Sequence, residues 1–346
     1  MLVLDGAAVR ELFPMEAAIA VMRAALTRYS AGEVIQPLRM VVRGPGGNAD
    51  AAKLLILMPA WTGAEPASGG GGGALGVKLV AVFPGNPARG LDTHQGVVTM
   101  LDPDSGVPTA TLDAATVTEI RTAAVSGVAT DALAPPGAGD LAILGAGVQA
   151  RSHLAAMAAV RPLRRVRVWS RTAAHAEKLA GWAGTRFGPP VEVCPTPAAA
   201  LHGADLACTT LACVEPVVDA GMLTPGLHLN AVGACVPTAR ELTTDAVAGA
   251  TVIVDSRESA LSEAGDLLIP IRAGELSPDH VAAELGEVLL GRHPGRTRPD
   301  EITLFKSLGL AIEDVVAGAY IQRAARAKGL GTEAPLTEQA MQPMQP

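Results

Sequence analysis

The run ILGAGVQARSHL, residues 143–154, constrains this chain more than any other segment. A short apolar stretch ends at Leu144. Gly145-Ala146-Gly147-Val148-Gln149-Ala150 then follows the pattern G-x-G-x-x-G/A ahead of an amphipathic stretch. In such a turn Gly145 permits the tight bend and Gly147 the close approach of a pyrophosphate. The small Ala150 lets helix pack on strand, with the helix N-terminus toward the phosphates. A glycine-rich match alone is weak, but the surroundings agree with it. LAILG, RVRVWS, VEVC, ADLACTTL, LHLNAVG and TVIVDS are short apolar runs alternating with Ala-rich helical stretches. Six strands with intervening helices predict an α/β fold, a doubly wound parallel sheet that binds a dinucleotide.

The end of the second of these strands selects the dinucleotide. An NAD site usually places Asp or Glu there for the ribose 2′-hydroxyl, whereas this chain has Ser170-Arg171-Thr172. Arg171 suits a 2′-phosphate through charge-assisted bonds, with two hydroxyls beside it. The expected cofactor is NADP(H).

With 346 residues the chain has room for a second domain. PMEAAIAVMRAALTRYSA, 14–31, reads as an amphipathic helix with Pro14 in its first turn. Short β-like runs follow: LRMVV at 38–42, KLLILM at 53–58, GVKLVAVF at 76–83 and QGVVTMLD at 95–102. Turn clusters such as GPGGNAD and GNPARG separate them, and SGGGGG, Ser68 to Gly73, reads as a surface loop. The stretch 115–133 reads as a helix ending before Pro135-Pro136. Beyond the dinucleotide region, 281–291 and 307–327 read as helices, and the last residues, EAPLTEQAMQPMQP, as a frayed end. The expected plan is a dinucleotide domain at 135–305, and a second domain built from 1–134 and 306–346.

Composition narrows the function. Net charge is −7 with the signs interspersed, and aromatics make up 3%. Phosphate neutralisation and base stacking therefore lack their residues, and no nucleic-acid partner is expected. The acidic balance disfavours anionic membranes. Asp5, Arg10 and Glu11 interrupt the start where a signal peptide needs an apolar run. Mean hydropathy is +0.30, but no uncharged apolar run reaches membrane-spanning length. Its source is Ala, Val and Leu in many short segments, as in a buried parallel sheet. Cys194, Cys208, Cys213 and Cys235 form no C-x-x-C pair and read as packing thiols in a reducing cytoplasm. The seven histidines show no zinc-ligand spacing, so no metal is expected.

Three cations stand in apolar surroundings: Arg39 in QPLRMVV, Lys78 in LGVKLVAVF and Arg121 in TEIRTAAVSG. An unpaired ammonium inside such a run is expensive, so together they suggest a pocket that receives a carboxylate. Asp113 and Asp266 could orient active-site partners, but acids at loop–helix junctions read more often as caps. Lys306 in LFKSLG faces either cofactor or solvent.

IQPLRM, VKLV, RTAAVSGVAT, ILGAGVQA, VWSRT, NAVGA, VDSRESALSEAGD, AELGEV and LFKSLGLAIEDVVA are dispersed from residue 35 to 317. Through them the chain resembles the ornithine cyclodeaminase/mu-crystallin family over nearly its whole length. It is most similar to the mu-crystallin branch of NADPH-dependent ketimine reductases. The resemblance implies a Rossmann domain, a substrate and dimerisation domain formed from both chain ends, and a homodimer. Arg39 and Arg121 would hold the substrate carboxylate, with Lys78 against the carboxylate and reacting centre. Thr122 and His94 match positions lining the nicotinamide. Thr210, Leu211 and Val232 match strand ends bordering the dinucleotide, and Glu263 matches an acid at the pocket edge.

One departure bears on the reaction. Cyclodeaminases and alanine dehydrogenases of the family carry an aspartate base after the glycine of the NAVG strand, where this chain has Cys235. A mostly protonated thiol does not replace a carboxylate base. With the missing acid at Ser170-Arg171, this argues against ornithine cyclisation. The expected activity is NADPH-dependent reduction of cyclic ketimine α-carboxylates to L-proline or L-pipecolate, on imino- or amino-acid substrates. An ornithine cyclodeaminase-like, alanine dehydrogenase or reductive-amination (opine-type) activity is a second reading, and a non-catalytic protein that binds NADPH and a small acid a third.

Overall fold

The computed structural model describes residues 1–45, 53–63 and 73–335. The expected loop Ser68 to Gly73 lies outside these residues apart from Gly73. So do most of the GPGGNAD turn and the tail beyond residue 335.

The chain divides into two compact units. The first comprises Met1–Pro14, Glu33–Thr118 and the chain from Ala311 onward. Its sheet contains β1 (Leu2–Leu4), β2 (Val34–Ile35), β3 (Met40–Arg43), β4 (Leu54–Thr62), β5 (Ala74–Val82), β6 (His94–Leu101) and β7 (Pro108–Asp113). The order is β1-β7-β6-β5-β4-β2, with Thr332–Glu333 flanking β1 and β3 also pairing with β4. The strands alternate: Met58, Ala60 and Thr62 are buried while Pro59 and Trp61 are exposed, as a half-covered sheet requires. The helix Ala311–Lys328 covers one face, where the small Gly76 and Gly318 let it lie close. A Cβ on Gly76 would meet Val315 at 3.4 Å, and one on Gly318 would meet Met100. The last long helix thus returns to the first region. Among the described residues the opposite face is apolar and open. Met40, Leu57, Leu79 and Val97 form one row across four strands, and Met40, Val42 and Trp61 are each close to half exposed or more.

The second unit comprises Met15–Gly32 and Glu119–Leu310. Its strands are β8 (Asp140–Leu144), β9 (Arg165–Trp169), β10 (Val191–Val193), β11 (Leu206–Thr209), β12 (His228–Ala231), β13 (Thr251–Val254), β14 (Val281–Glu284) and β15 (Thr303–Lys306). They run parallel in the order β10-β9-β8-β11-β12-β15-β13-β14. The strand order reverses between β8 and β11, the place where open α/β sheets bind ligands.

Three expectations are corrected. The sheet has eight strands rather than six. Residues 281–291 are not one helix: Val281–Glu284 is an edge strand, and only Leu285–Leu289 is helical. Thr303–Lys306 lies inside the sheet between β12 and β13; four wholly buried residues offer no alternation to read. The compact units also differ from the expected segments 1–134, 135–305 and 306–346. The helix Met15–Ser30 and most of the helix Ala114–Leu133 pack with the parallel sheet. Gly127 leaves room for Ile19, Arg23 meets Asp131 at 2.5 Å, and Asn230 Nδ2 donates to Thr130 at 2.9 Å.

Candidate functional site

In the second unit the glycine turn closes at the C-terminal end of β8. Gly145 has φ +119°, a backbone state that L side chains rarely adopt. A Cβ there would run into Thr210, whose N–H donates to Leu144 O at 2.8 Å. Ala150 is a fully buried residue in the first turn of the helix Val148–Val160. That helix begins at Gly147 with no side chain capping it, and a Cβ on Gly147 would meet nothing within 4 Å. The result is an open helix N-terminus with free N–H donors beside a bare backbone, which fits a phosphate. Val148 is exposed at the rim, and the buried Gln149 Oε1 has no hydrogen-bond partner. Below it, His153 Nδ1 meets Gln149 O at 2.8 Å and Nε2 meets Ser126 Oγ at 2.9 Å. A carbonyl only accepts, so Nδ1 carries the proton and Nε2 accepts from the serine. Burial pushes this imidazole down to about 4.

At the end of β9, Ser170 is half-buried, Arg171 and Thr172 are exposed, and no acid stands there. Arg171 donates to Ala212 O at 3.1 Å, which places its guanidinium beside the turn after β11. Across the switch point, Leu211 and Val232 are buried and Thr210 half-buried. The buried Thr122 Oγ1 has no hydrogen-bond partner. These residues fit a dinucleotide.

A buried charge network, missed by sequence reasoning, lies under these turns. Glu241 is fully buried; its Oε1 accepts from Leu211 N at 2.8 Å and its Oε2 from Gly233 N at 2.7 Å. Burial pushes its carboxyl up to about 7 against the pull of Lys306. Lys306 is fully buried rather than facing solvent, with Nζ 3.0 Å from Asp266 Oδ2. Burial opposes its charge, but Asp266 and Glu241 outweigh burial and hold the ammonium above its ordinary range. Asp266, expected to cap its own helix, instead accepts from Glu241 N at 2.7 Å and Leu242 N at 3.0 Å. Asp113 does act as a cap, accepting from Thr116 N at 2.8 Å. Cys235 is half-buried, its thiol 3.3 Å from Val232 O. Glu263 ends the helix Arg257–Glu263. Arg121 is buried in the helix Ala114–Leu133, packed so closely on Gly309 that a Cβ there would strike its guanidinium.

In the first unit Lys78 lies on the face of β5 that the helix Ala311–Lys328 covers. Its Nζ is 2.6 Å from Asp314 Oδ2 and 3.4 Å from Thr118 Oγ1. Its burial is therefore balanced from within the fold, where the sequence had suggested an external carboxylate. Asp314 was hidden by its place in a helix's first turn, where acids are ordinary. Arg39 is half-buried just before β3, and His94 opens β6, exposed, on the same sheet face as Lys78. Among the described residues no cluster of His, Cys, Asp and Glu is arranged to hold a metal ion, and no helix is long and apolar enough to cross a membrane.

The chain is 37% identical over 335 residues to a Delta(1)-pyrroline-2-carboxylate reductase of Bacillus cereus, covering 96% of this chain and 99% of the relative. It is 40% identical over 303 residues to the ketimine reductase mu-crystallin of Mus musculus, covering 87% and 89%. Among solved structures, the Delta(1)-pyrroline-2-carboxylate reductase of Thermococcus litoralis, in complex with NADH and L-proline, superposes with TM-score 0.90. It is 33% identical and covers 96% of this chain and 100% of that one. The ornithine cyclodeaminase/mu-crystallin family model matches residues 1–329, and the chain belongs to that family.

Proposed function

We propose that the chain is an NADPH-dependent reductase of cyclic ketimine α-carboxylates, converting Δ1-pyrroline-2-carboxylate to L-proline or Δ1-piperideine-2-carboxylate to L-pipecolate. The observation that carries this reading is the end-to-end match to Delta(1)-pyrroline-2-carboxylate reductases. The cofactor, when bound, supplies the hydride. Gly145, Gly147 and the helix N-terminus beyond them would hold its pyrophosphate. Thr122, His94, Thr210, Leu211 and Val232 would border the rest. Arg171, with Ser170 and Thr172, supports NADPH over NADH, because it offers a guanidinium where a ribose-binding acid would repel a 2′-phosphate.

Arg39 and Arg121 would fix the substrate carboxylate, so that the planar imine is presented in one orientation; Glu263 and Cys235 would border the ring. Orientation of this kind lowers a barrier by roughly 7–11 kcal/mol in favourable cases. Lys78 would hold the proton that keeps the imine nitrogen cationic, its charge secured by Asp314. The chain would work as a homodimer through the open apolar sheet face, since a soluble monomer rarely leaves so continuous an apolar row uncovered. Its four free cysteines suit the cytoplasm.

The test is oxidation of NADPH, with an NADH control, in the presence of each cyclic ketimine. Turnover with NADPH that is lost in Arg121→Ala is the expected result. Equal or better use of NADH would overturn the role of Arg171. Activity only with an α-keto acid plus an amine would move the assignment to reductive amination. Binding of NADPH with no turnover would make the chain a carrier.

A further inference from the structure

We propose that Glu241 is a positioning residue for the dinucleotide: its two carboxylate oxygens clamp the main chain of the turns after β11 and β12, and so set the strand ends that border the cofactor. The inference rests on the dinucleotide reading above and extends it to a residue that does not touch the ligand.

The geometry is specific. One oxygen takes the N–H of Leu211 and the other that of Gly233. Gly233 has no room for a side chain, since a Cβ would run into Leu211 and Glu241. The clamp therefore sets the spacing of the two turns. Leu211 directly follows Thr210, whose N–H and hydroxyl both reach Leu144 O, and Thr210 closes over Gly145. A shift at Leu211 is thus passed to the first glycine of the phosphate turn. Glu241 is held in its turn: its own N–H donates to Asp266, and its carbonyl accepts from Val217 N at 2.8 Å and Val218 N at 3.1 Å. A helix or loop merely needing a cap would not bury a carboxylate completely, because desolvating the charge is costly.

The clamp is also sensitive to protonation. The groups that face Glu241 are Lys306 on β15, Asp266 on the helix Gly265–Arg272, and the Cys213 thiol after β11. Cys235, after β12, faces Lys306. Burial, followed by the charge of Glu241, pushes Cys213 up to about 11, so it stays a neutral thiol near neutrality. Asp266 and Glu241 hold Lys306 charged, and burial brings Glu241 up to about 7, so Glu241 titrates near neutrality. Ionised, it accepts from both N–H groups. Protonated, one oxygen becomes a donor and competes with an N–H it had accepted.

The experiment compares wild type and Glu241→Gln by titrating NADPH and NADH binding across neutral pH, with kcat at saturating cofactor alongside. Glutamine has the same shape but only one acceptor oxygen, and its amide hydrogens face an N–H. The expected result is dissociation constants raised about tenfold above neutrality, the scale of one lost charge-assisted bond. kcat should change little, and the fall in wild-type affinity below neutrality should be absent from the variant. That fall must appear with NADH as well as NADPH, which separates it from titration of the 2′-phosphate. Lowered thermal stability with unchanged affinity and pH profile would make Glu241 a structural residue and overturn the proposal. If the variant does not fold, a wild-type affinity that is flat across neutrality overturns it equally. Failure of wild type to bind either dinucleotide would instead sink the cofactor reading.

Discussion

Each unit buries a lysine on a strand, Lys78 in the middle of β5 and Lys306 at the end of β15, and the two are held differently. In the first unit Lys78 and Asp314 have side chains 5% and 0% exposed; in the second Lys306 and Asp266 are at 0% and 1%. Burial alone does not distinguish them. The partners do. Asp266 is tied by its other oxygen to the main chain of Glu241 and Leu242, and Glu241 is tied to two further turns. Lys306 thus sits in a web that joins β15, a helix and three loops. Lys78 faces a carboxylate from one helix and a hydroxyl from another, on the same sheet face as His94. A buried cation woven into backbone amides is a strut. A buried cation on a sheet face with an acid behind it can serve chemistry.

The widest separation between the two comes from neutralising the first pair. Lys78→Met alone removes the cation that stands 2.6 Å from the buried Asp314 carboxylate, so the double variant Lys78→Met/Asp314→Asn is the informative one. It is expected to regain most of the stability lost by the single variant. Ketimine turnover should still fall by about 10²–10⁴-fold in kcat/KM, the range of one proton-transfer group. Full activity in the double variant would make Lys78 a strut like Lys306.

The second pair should answer in stability. Lys306→Met leaves Asp266 and Glu241 buried without their cation, and the expected loss is about 3–5 kcal/mol in denaturant unfolding. Adding Asp266→Asn should restore only part of it, since Glu241 remains. Complete restoration would show that the web is a simple pair and that the contrast with Lys78 is false.

Stability against pH sharpens the contrast further, because both strongly depressed imidazoles lie in the second unit. Burial pushes His153 down to about 4 and His228 to about 3, against an ordinary value of 6.5. The unfolded chain takes up these protons before the folded chain does. Their contribution is therefore fully present above pH 6.5 and is lost as pH falls toward 4, by up to about 1.4 kcal/mol per unit for each group. Melting followed across that window should show the decline, and His153→Gln should flatten it by roughly one group's share. An unchanged slope in the variant would mean that His153 is charged in the folded chain.

What was legible in the chain tracks how locally each feature is encoded. The cofactor turn stood out because a tight bend and a close backbone approach demand glycine at fixed spacing, whatever the rest of the fold does. Lys78 and Arg121 stood out as charges among apolar residues. Their supports did not. Asp314 sits beside Glu313 at a helix start, and Glu241 sits in RELTT, which reads like a solvated turn; only the fold brings each to its partner. β15 is four residues long and β14 is VAAE, with weak strand propensity, so sheet pairing makes them strands. The division at Thr118 and Glu119 falls inside one helix, where no break in pattern exists to be read.

The smallest effect belongs to Thr122, and it tests the second unit as a binding surface without touching its charges. Its hydroxyl oxygen is buried with no hydrogen-bond partner, an arrangement that costs free energy until something fills it. Thr122→Val removes the hydroxyl while keeping the branched shape. If the oxygen is reserved for the cofactor, the ligand-free variant should melt at the same temperature as wild type or slightly higher, and NADPH should raise its melting temperature less. The affinity difference should be about 0.5–1.5 kcal/mol, the net value of one neutral hydrogen bond. The two changes must occur together, since both follow from one unpartnered oxygen. A lowered melting temperature without ligand would mean that the hydroxyl already supports the fold, and Thr122 would then stand with Lys306 rather than with Lys78.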